Sequence, residues 1–243
     1  MTQNDWYAGA LDKDWETYNS QLYDRQTFQQ RVGALFRRIP LASDFMFLRD
    51  LRSSSYLADS GWFESVRRKM AIDAAGKPMP WITYAAIEFL SPRIRVEWSV
   101  FEFGCGNSTL WWSSRVARIV SCEHNANWVN GFKSQCPQNV HLIYYPETPD
   151  GPYARATEQF TGVFHVIVID GRDRVNCARH CLKSLRPDGV VLWDNTERSQ
   201  YSEGFAFLES NGFRRIDFSG LGPANRHGWS TSIFYRPENC LRI

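Results

Sequence analysis

The chain has 243 residues, 43% hydrophobic and 22% charged, with a formal net charge of +2. These values fit one folded domain with an appendage, and disorder is not the default expectation. So small a charge gives no basis for a nucleic-acid or membrane partner, and no apolar run approaches the roughly 18–20 residues of a membrane span.

Residues 1–95 read as a helical extension, polar and aromatic without a credible strand. Arg25 to Arg38 places Phe28, Val32, Leu35, Phe36 and Ile39 at helical spacing. Asp44 to Leu51 reads as a short helix after Pro40, and another follows Asp59 or Ser60 through Trp62, Phe63 and Val66. Gly76 to Trp81 is a proline-bounded loop before an amphipathic helix, Ile82 to Leu90, and it makes Trp81 a candidate lid residue. From residue 96 short apolar runs alternate with helices. Strands are expected at Trp98–Phe103, Arg118–Glu123, Val140–Tyr145, Phe164–Asp170, Gly189–Trp193, Phe213–Phe218 and Ser230–Arg236. Helices are expected at Ser108–Arg115, Ala126–Gln135, Asp173–Leu185 and Arg198–Ser210. This alternation predicts an α/β, doubly wound, seven-stranded sheet. No helix separates the last two strands, so they form an antiparallel pair.

In such sheets ligands bind beyond the carboxyl ends of the strands. The first strand runs into Glu102-Phe103-Gly104-Cys105-Gly106-Asn107-Ser108-Thr109, a glycine turn that opens a helix. Its glycines are expected to supply positive φ and close backbone approach, with Asn107, Ser108 or Thr109 as the helix cap. The second strand ends in Glu123-His124, the fourth in Asp170-Gly171-Arg172-Asp173, and the fifth in Asp194-Asn195. Glu123 lies about 20 residues beyond the turn, where an acid accepts both hydroxyls of a ribose. That fits either NAD or S-adenosylmethionine. The third glycine of a dinucleotide turn is replaced by Thr109, which favours the methyl donor, and Glu102 or Asp170 would face its positive charge.

These strand-end motifs, with the final strand pair, resemble those of the class I S-adenosylmethionine-dependent methyltransferases over roughly residues 80–243. Ile169 to Arg174 and Trp193 to Thr196 are similar to the cation-dependent O-methyltransferases of the caffeoyl-CoA and macrocin types. Thr231 to Arg236 also resembles bacterial methyltransferases of unassigned substrate. The resemblance implies a Rossmann-like methyltransferase domain over residues 96–243. It implies methylation of a small-molecule or sugar hydroxyl, with Asp170, Asp194 and Asn195 as ligands of Mg²⁺ or another divalent cation. Gly171-Arg172-Asp173-Arg174 departs from the Gly-Asp-Lys or Gly-Asp-His run usual there.

Cofactor contacts are expected from Trp81, Glu102, Gly104 to Thr109, Glu123, His124, Trp128 and Asp170 to Arg172. Tyr153 is a further candidate for cofactor or acceptor, His165 is structural, and catalysis falls to Asp170 and to His227 as general base. The six cysteines read as free thiols. The opening residues lack a secretory signal, so a cytoplasmic protein is expected, with a homodimer allowed for. An NAD-type oxidoreductase and a non-catalytic binding protein of the same fold are the alternatives; the first lacks a Tyr-x-x-x-Lys proton relay.

Overall fold

The computed structural model describes residues 40–243, with side chains from residue 43 on. The expected helix Arg25–Arg38 lies outside the described residues. Two compact units are present, residues up to 55 and residues 56–243. In the first, helix α1 (Pro40–Ser53) contains the expected Asp44–Leu51 segment.

The second unit begins with the helical turn α2 (Tyr56–Asp59), α3 (Trp62–Arg68) and α4 (Tyr84–Leu90). There follow β1 (Ser99–Phe103), α5 (Asn107–Ser113), β2 (Arg118–Glu123), α6 (Ala126–Phe132), β3 (Val140–Tyr144) and β4 (Phe164–Ile169). The chain continues through α7 (Arg174–Cys181), β5 (Leu185–Asp194), α8 (Ser202–Ser210), β6 (Arg214–Gly220) and β7 (Trp229–Tyr235). All seven strands join one sheet in the order β3-β2-β1-β4-β5-β7-β6. β1 to β5 are parallel, and β7 runs antiparallel to both β5 and β6, as the missing helix required. β5 starts earlier than expected because Leu185 pairs with Phe164 before the register shifts.

The central strands are apolar on both faces because both faces are covered. Val166 and Val168 of β4 pack with Tyr84, Ile87 and Leu90 of α4 and with Trp111 and Trp112 of α5. Ile167 and Ile169, pointing the other way, pack with Cys177 and Cys181 of α7 and with Phe205 and Leu208 of α8. Thus α4, read from the sequence as part of an extension, is a sheet-covering helix. All six cysteines are unpaired. Among the described residues no helix is long and apolar enough to cross a membrane.

Candidate active site

β1 and β4 are neighbours, but the chain leaves them in opposite directions, toward β2 and toward β5. Loops that diverge at such a point leave a crevice beyond the strand ends, and here it is a cleft of about 450 Å³. β1 and its turn contribute Glu102 and Gly104 through Ser108; the end of β2 contributes Glu123 and His124. Trp128 enters from α6, Asp170, Gly171 and Arg172 follow β4, and Trp81 comes from the loop before α4.

The turn is held from three sides. Gly104 has φ 105°, a conformation that favours glycine, whereas Gly106 at φ 163° is extended backbone open to any residue. Positive φ therefore explains only the first glycine. Gly106 occupies the N-cap of α5, and its N–H donates to Thr109 Oγ1 at 3.1 Å, half of a capping box. Thr109 in turn donates to Glu102 Oε2 at 2.5 Å, and Ser121 Oγ donates to the same oxygen at 3.2 Å. Thr109 is fully buried and does not line the cleft; its expected cofactor contact is replaced by a structural one, because its hydroxyl is used up inside the domain. Trp128 donates its indole N–H to the Cys105 carbonyl at 2.8 Å while its ring stays exposed.

Glu123 is mostly engaged by the backbone. Oε2 accepts the Cys105 N–H at 3.2 Å, and Oε1 accepts those of His124 and Asn125, each at 2.9 Å. A carboxylate has about four lone-pair sites, so three are occupied and one is left for a ligand hydroxyl rather than the two expected. His124 Nδ1 lies 2.7 Å from Glu123 Oε1 without hydrogen-bond geometry, and is a buried polar atom with no partner.

Burial raises the Glu102 carboxyl to about 7, against the opposing hydrogen bonds of Ser108, Thr109 and Ser121 and with the help of the Asp170 charge. The folded state keeps this proton where the unfolded chain has lost it. Stability should therefore fall as pH rises from the ordinary glutamate range to about 7, and level off above. Glu102→Gln should remove its share of that decline, on the order of 3 kcal/mol, in urea unfolding compared at pH 5 and pH 8.

Past β4 the chain lies flat against β1. A Cβ on Gly171 would stand 1.9 Å from Tyr153 Oη and 3.0 Å from the Phe103 carbonyl oxygen. Tyr153 is fully buried against Phe103, and its Oη accepts the Arg172 N–H at 3.3 Å. It forms the floor of the site and does not line the cleft, which corrects its expected contact with a ligand. His165 is structural, its Nδ1 accepting the Ser99 N–H at 3.1 Å.

The expected cation ligands do not converge. Asp194 is 3% exposed, and its Oδ1 accepts from Trp229 Nε1 and Thr231 Oγ1 on β7. Asp170 faces Arg174, whose Nη2 donates to its Oδ1 and to its carbonyl oxygen, each at 3.0 Å. Arg174 also donates to the carbonyl oxygens of Gly171 and Asp194, so a buried guanidinium fills the space between the two strand ends. Asn195, at φ 60°, lines no cleft with Asp170. Among the described residues no cluster of three His, Cys, Asp or Glu side chains could hold a metal ion. This donor set does not fit an oxygen-ligated divalent cation.

His227 is exposed on the loop joining β6 to β7 and does not line the cleft. That loop turns toward the helices, where the Trp62 indole donates to the Asn225 carbonyl at 2.7 Å, so the expected general base is not at the site. Residues missed by sequence reasoning are Lys69, Met70, Ala71, Met79 and Arg174. Lys69 to Ala71 are irregular chain after α3, and Asn107 Nδ2 fastens them to the turn through the Ala71 carbonyl at 2.8 Å. Only the cap-like position of Asn107 hinted at this contact.

Residues 101–196, which carry the turn and all four acidic strand ends, match the family model described as a methyltransferase domain. This segment is similar to methyltransferase domains. No curated protein matches the chain. A solved precorrin-6y C5,15-methyltransferase from Geobacter metallireducens is 14% identical, with 70% of this chain and 96% of that one covered at a TM-score of 0.52. A methyltransferase-like protein from Silicibacter pomeroyi is 19% identical, with 66% and 89% covered and a TM-score of 0.45. The first likeness shows the fold, a Rossmann-like sheet completed here by the β6–β7 pair outside the matched segment.

Proposed function

We propose that this protein transfers the methyl group of S-adenosylmethionine to a hydroxyl of a small molecule or sugar, without a divalent cation. One observation carries the reading: within the segment that matches a methyltransferase-domain model, Glu102, Glu123 and Asp170 converge on a single cleft beside the glycine turn. These carboxyl groups suit a ligand with a sulfonium and an ammonium group, and Asp170 is the one of them paired with an arginine. S-adenosylmethionine supplies an electrophilic methyl carbon. In the chain, the remaining lone pair of Glu123 is placed for one ribose hydroxyl, and the exposed ring of Trp128 provides a flat wall for a base. Lys69, Met79 and Trp81 also line the cleft. Burial raises the Asp170 carboxyl above its ordinary range, with the Arg174 guanidinium opposing, so it is the cleft group suited to receive the acceptor proton. The acceptor oxygen bonds to the methyl carbon as the carbon–sulfur bond breaks, its electron pair passing to sulfur. Alignment of the two reactants supplies much of the rate.

Calorimetric titration should show S-adenosylhomocysteine binding and NAD⁺ not, unchanged by EDTA. Binding of NAD⁺ alone would overturn the reading.

A further inference from the structure

A second cleft, of about 370 Å³, adjoins the first and shares Gly171, Arg172 and Arg174 with it. Its other walls include Glu147, Arg198, Gln200 and Tyr201. Three guanidinium groups thus line this second cleft at the edge of the first. Arg174 is committed to Asp170 and to backbone carbonyls, but the other two are not. Among the described residues, neither the Arg172 nor the Arg198 side chain makes a hydrogen bond; each has only an exposed glutamate at ion-pair range. Arg172 Nε is 3.9 Å from Glu147, and Arg198 Nε is 3.6 Å from Glu197. The other oxygen of Glu197 accepts the Ser230 N–H at 3.0 Å. The remaining carboxylate of the cleft, Asp173, is turned away, accepting the Asp150 N–H at 2.8 Å and the Asn176 amide at 2.9 Å. Tyr201 closes one side, its ring 5.8 Å from that of Trp193 and 5.5 Å from the Arg174 guanidinium.

Resting on the methyltransferase reading, we infer that this second cleft holds the methyl acceptor by an oxyanion group, a carboxylate or a phosphate, bridged by Arg172 and Arg198. Planar guanidinium forks match such groups through paired, charge-assisted hydrogen bonds. Because Arg172 belongs to both clefts, an anion held there lies next to the cofactor side, and its parent molecule reaches the transferred methyl group. The Arg198 charge also acts to lower the Asp170 carboxyl, so the two groups are near each other.

The test is calorimetric titration of inorganic phosphate and, separately, benzoate into the protein, with and without saturating S-adenosylhomocysteine. At least one anion should bind, and the tighter of the two identifies the group. Arg198→Gln should weaken that binding at least tenfold, since a charge-assisted pair of bonds is lost. Arg198 lines only the second cleft, so affinity for S-adenosylhomocysteine should stay unchanged. Binding of neither anion, or anion binding indifferent to Arg198→Gln, overturns the inference. Failure to bind S-adenosylhomocysteine would instead count against the methyltransferase reading and leave the anion result standing on its own.

Discussion

Arg174→Met should destabilise the folded protein by about 3–5 kcal/mol, the cost typical of removing one partner of a buried ion pair. Arg174 is 8% exposed and joins the ends of β4 and β5 by donating to Asp170, to Gly171 and to the Asp194 carbonyl. Methionine fills similar space but leaves the Asp170 charge and three carbonyl oxygens without their donor. Arg174→Lys keeps the charge and loses the planar fork, so it should fall between wild type and Arg174→Met. Urea unfolding at neutral pH measures both variants. A loss below about 1 kcal/mol for Arg174→Met would mean that the guanidinium is dispensable and that Asp170 finds its compensation in solvent.

Glu123→Ala should weaken S-adenosylhomocysteine binding at least tenfold and also lower stability by about 1–3 kcal/mol, the penalty for leaving a buried donor unpaired. The two effects share a cause. Its carboxylate ties the turn after β1 to the end of β2 by accepting N–H groups from Cys105, His124 and Asn125. Removing it loosens the turn as well as deleting a ligand contact. In Glu123→Gln one oxygen becomes an amide nitrogen, which faces at least one of those N–H groups as a second donor. That variant should therefore lose affinity while recovering part of the stability. Calorimetry and urea unfolding on the same preparations separate the terms, and unchanged affinity in Glu123→Ala would remove Glu123 from the cofactor site.

The sheet was legible because its central strands are continuous apolar runs. Val166 to Ile169 can only be a strand covered on both faces, and the stretch from Phe218 to Ser230 contains no apolar periodicity for a helix. The clustering of Glu102, Glu123 and Asp170 followed from the same logic, since parallel strands bring their carboxyl ends to one edge. What the sequence did not carry was the direction of side chains at those ends. Asp194 looks like its neighbours in sequence, but Trp229 and Thr231, some 35 residues later, turn its carboxylate into the sheet. Thr109 stood in the place of a cofactor contact and is a buried link to Glu102. His227 depended on the course of a loop that a short-range pattern does not determine. Arg174 was missed because its reach to β5 comes from a contact between two strand ends.

The position of β7 has a consequence for how the molecule is made. This strand comes last in sequence but lies between β5 and β6, antiparallel to both. While a nascent chain lacks Trp229–Tyr235, β5 has a bare edge, Asp194 has neither of its side-chain donors, and the Thr83 N–H lacks the Thr231 hydroxyl. The five parallel strands can assemble during synthesis, but the sheet closes only after its seventh strand has left the ribosome. A chain stalled or truncated before residue 229 would expose the Val191 to Asp194 edge of β5, a largely hydrophobic ladder open to pairing with another chain.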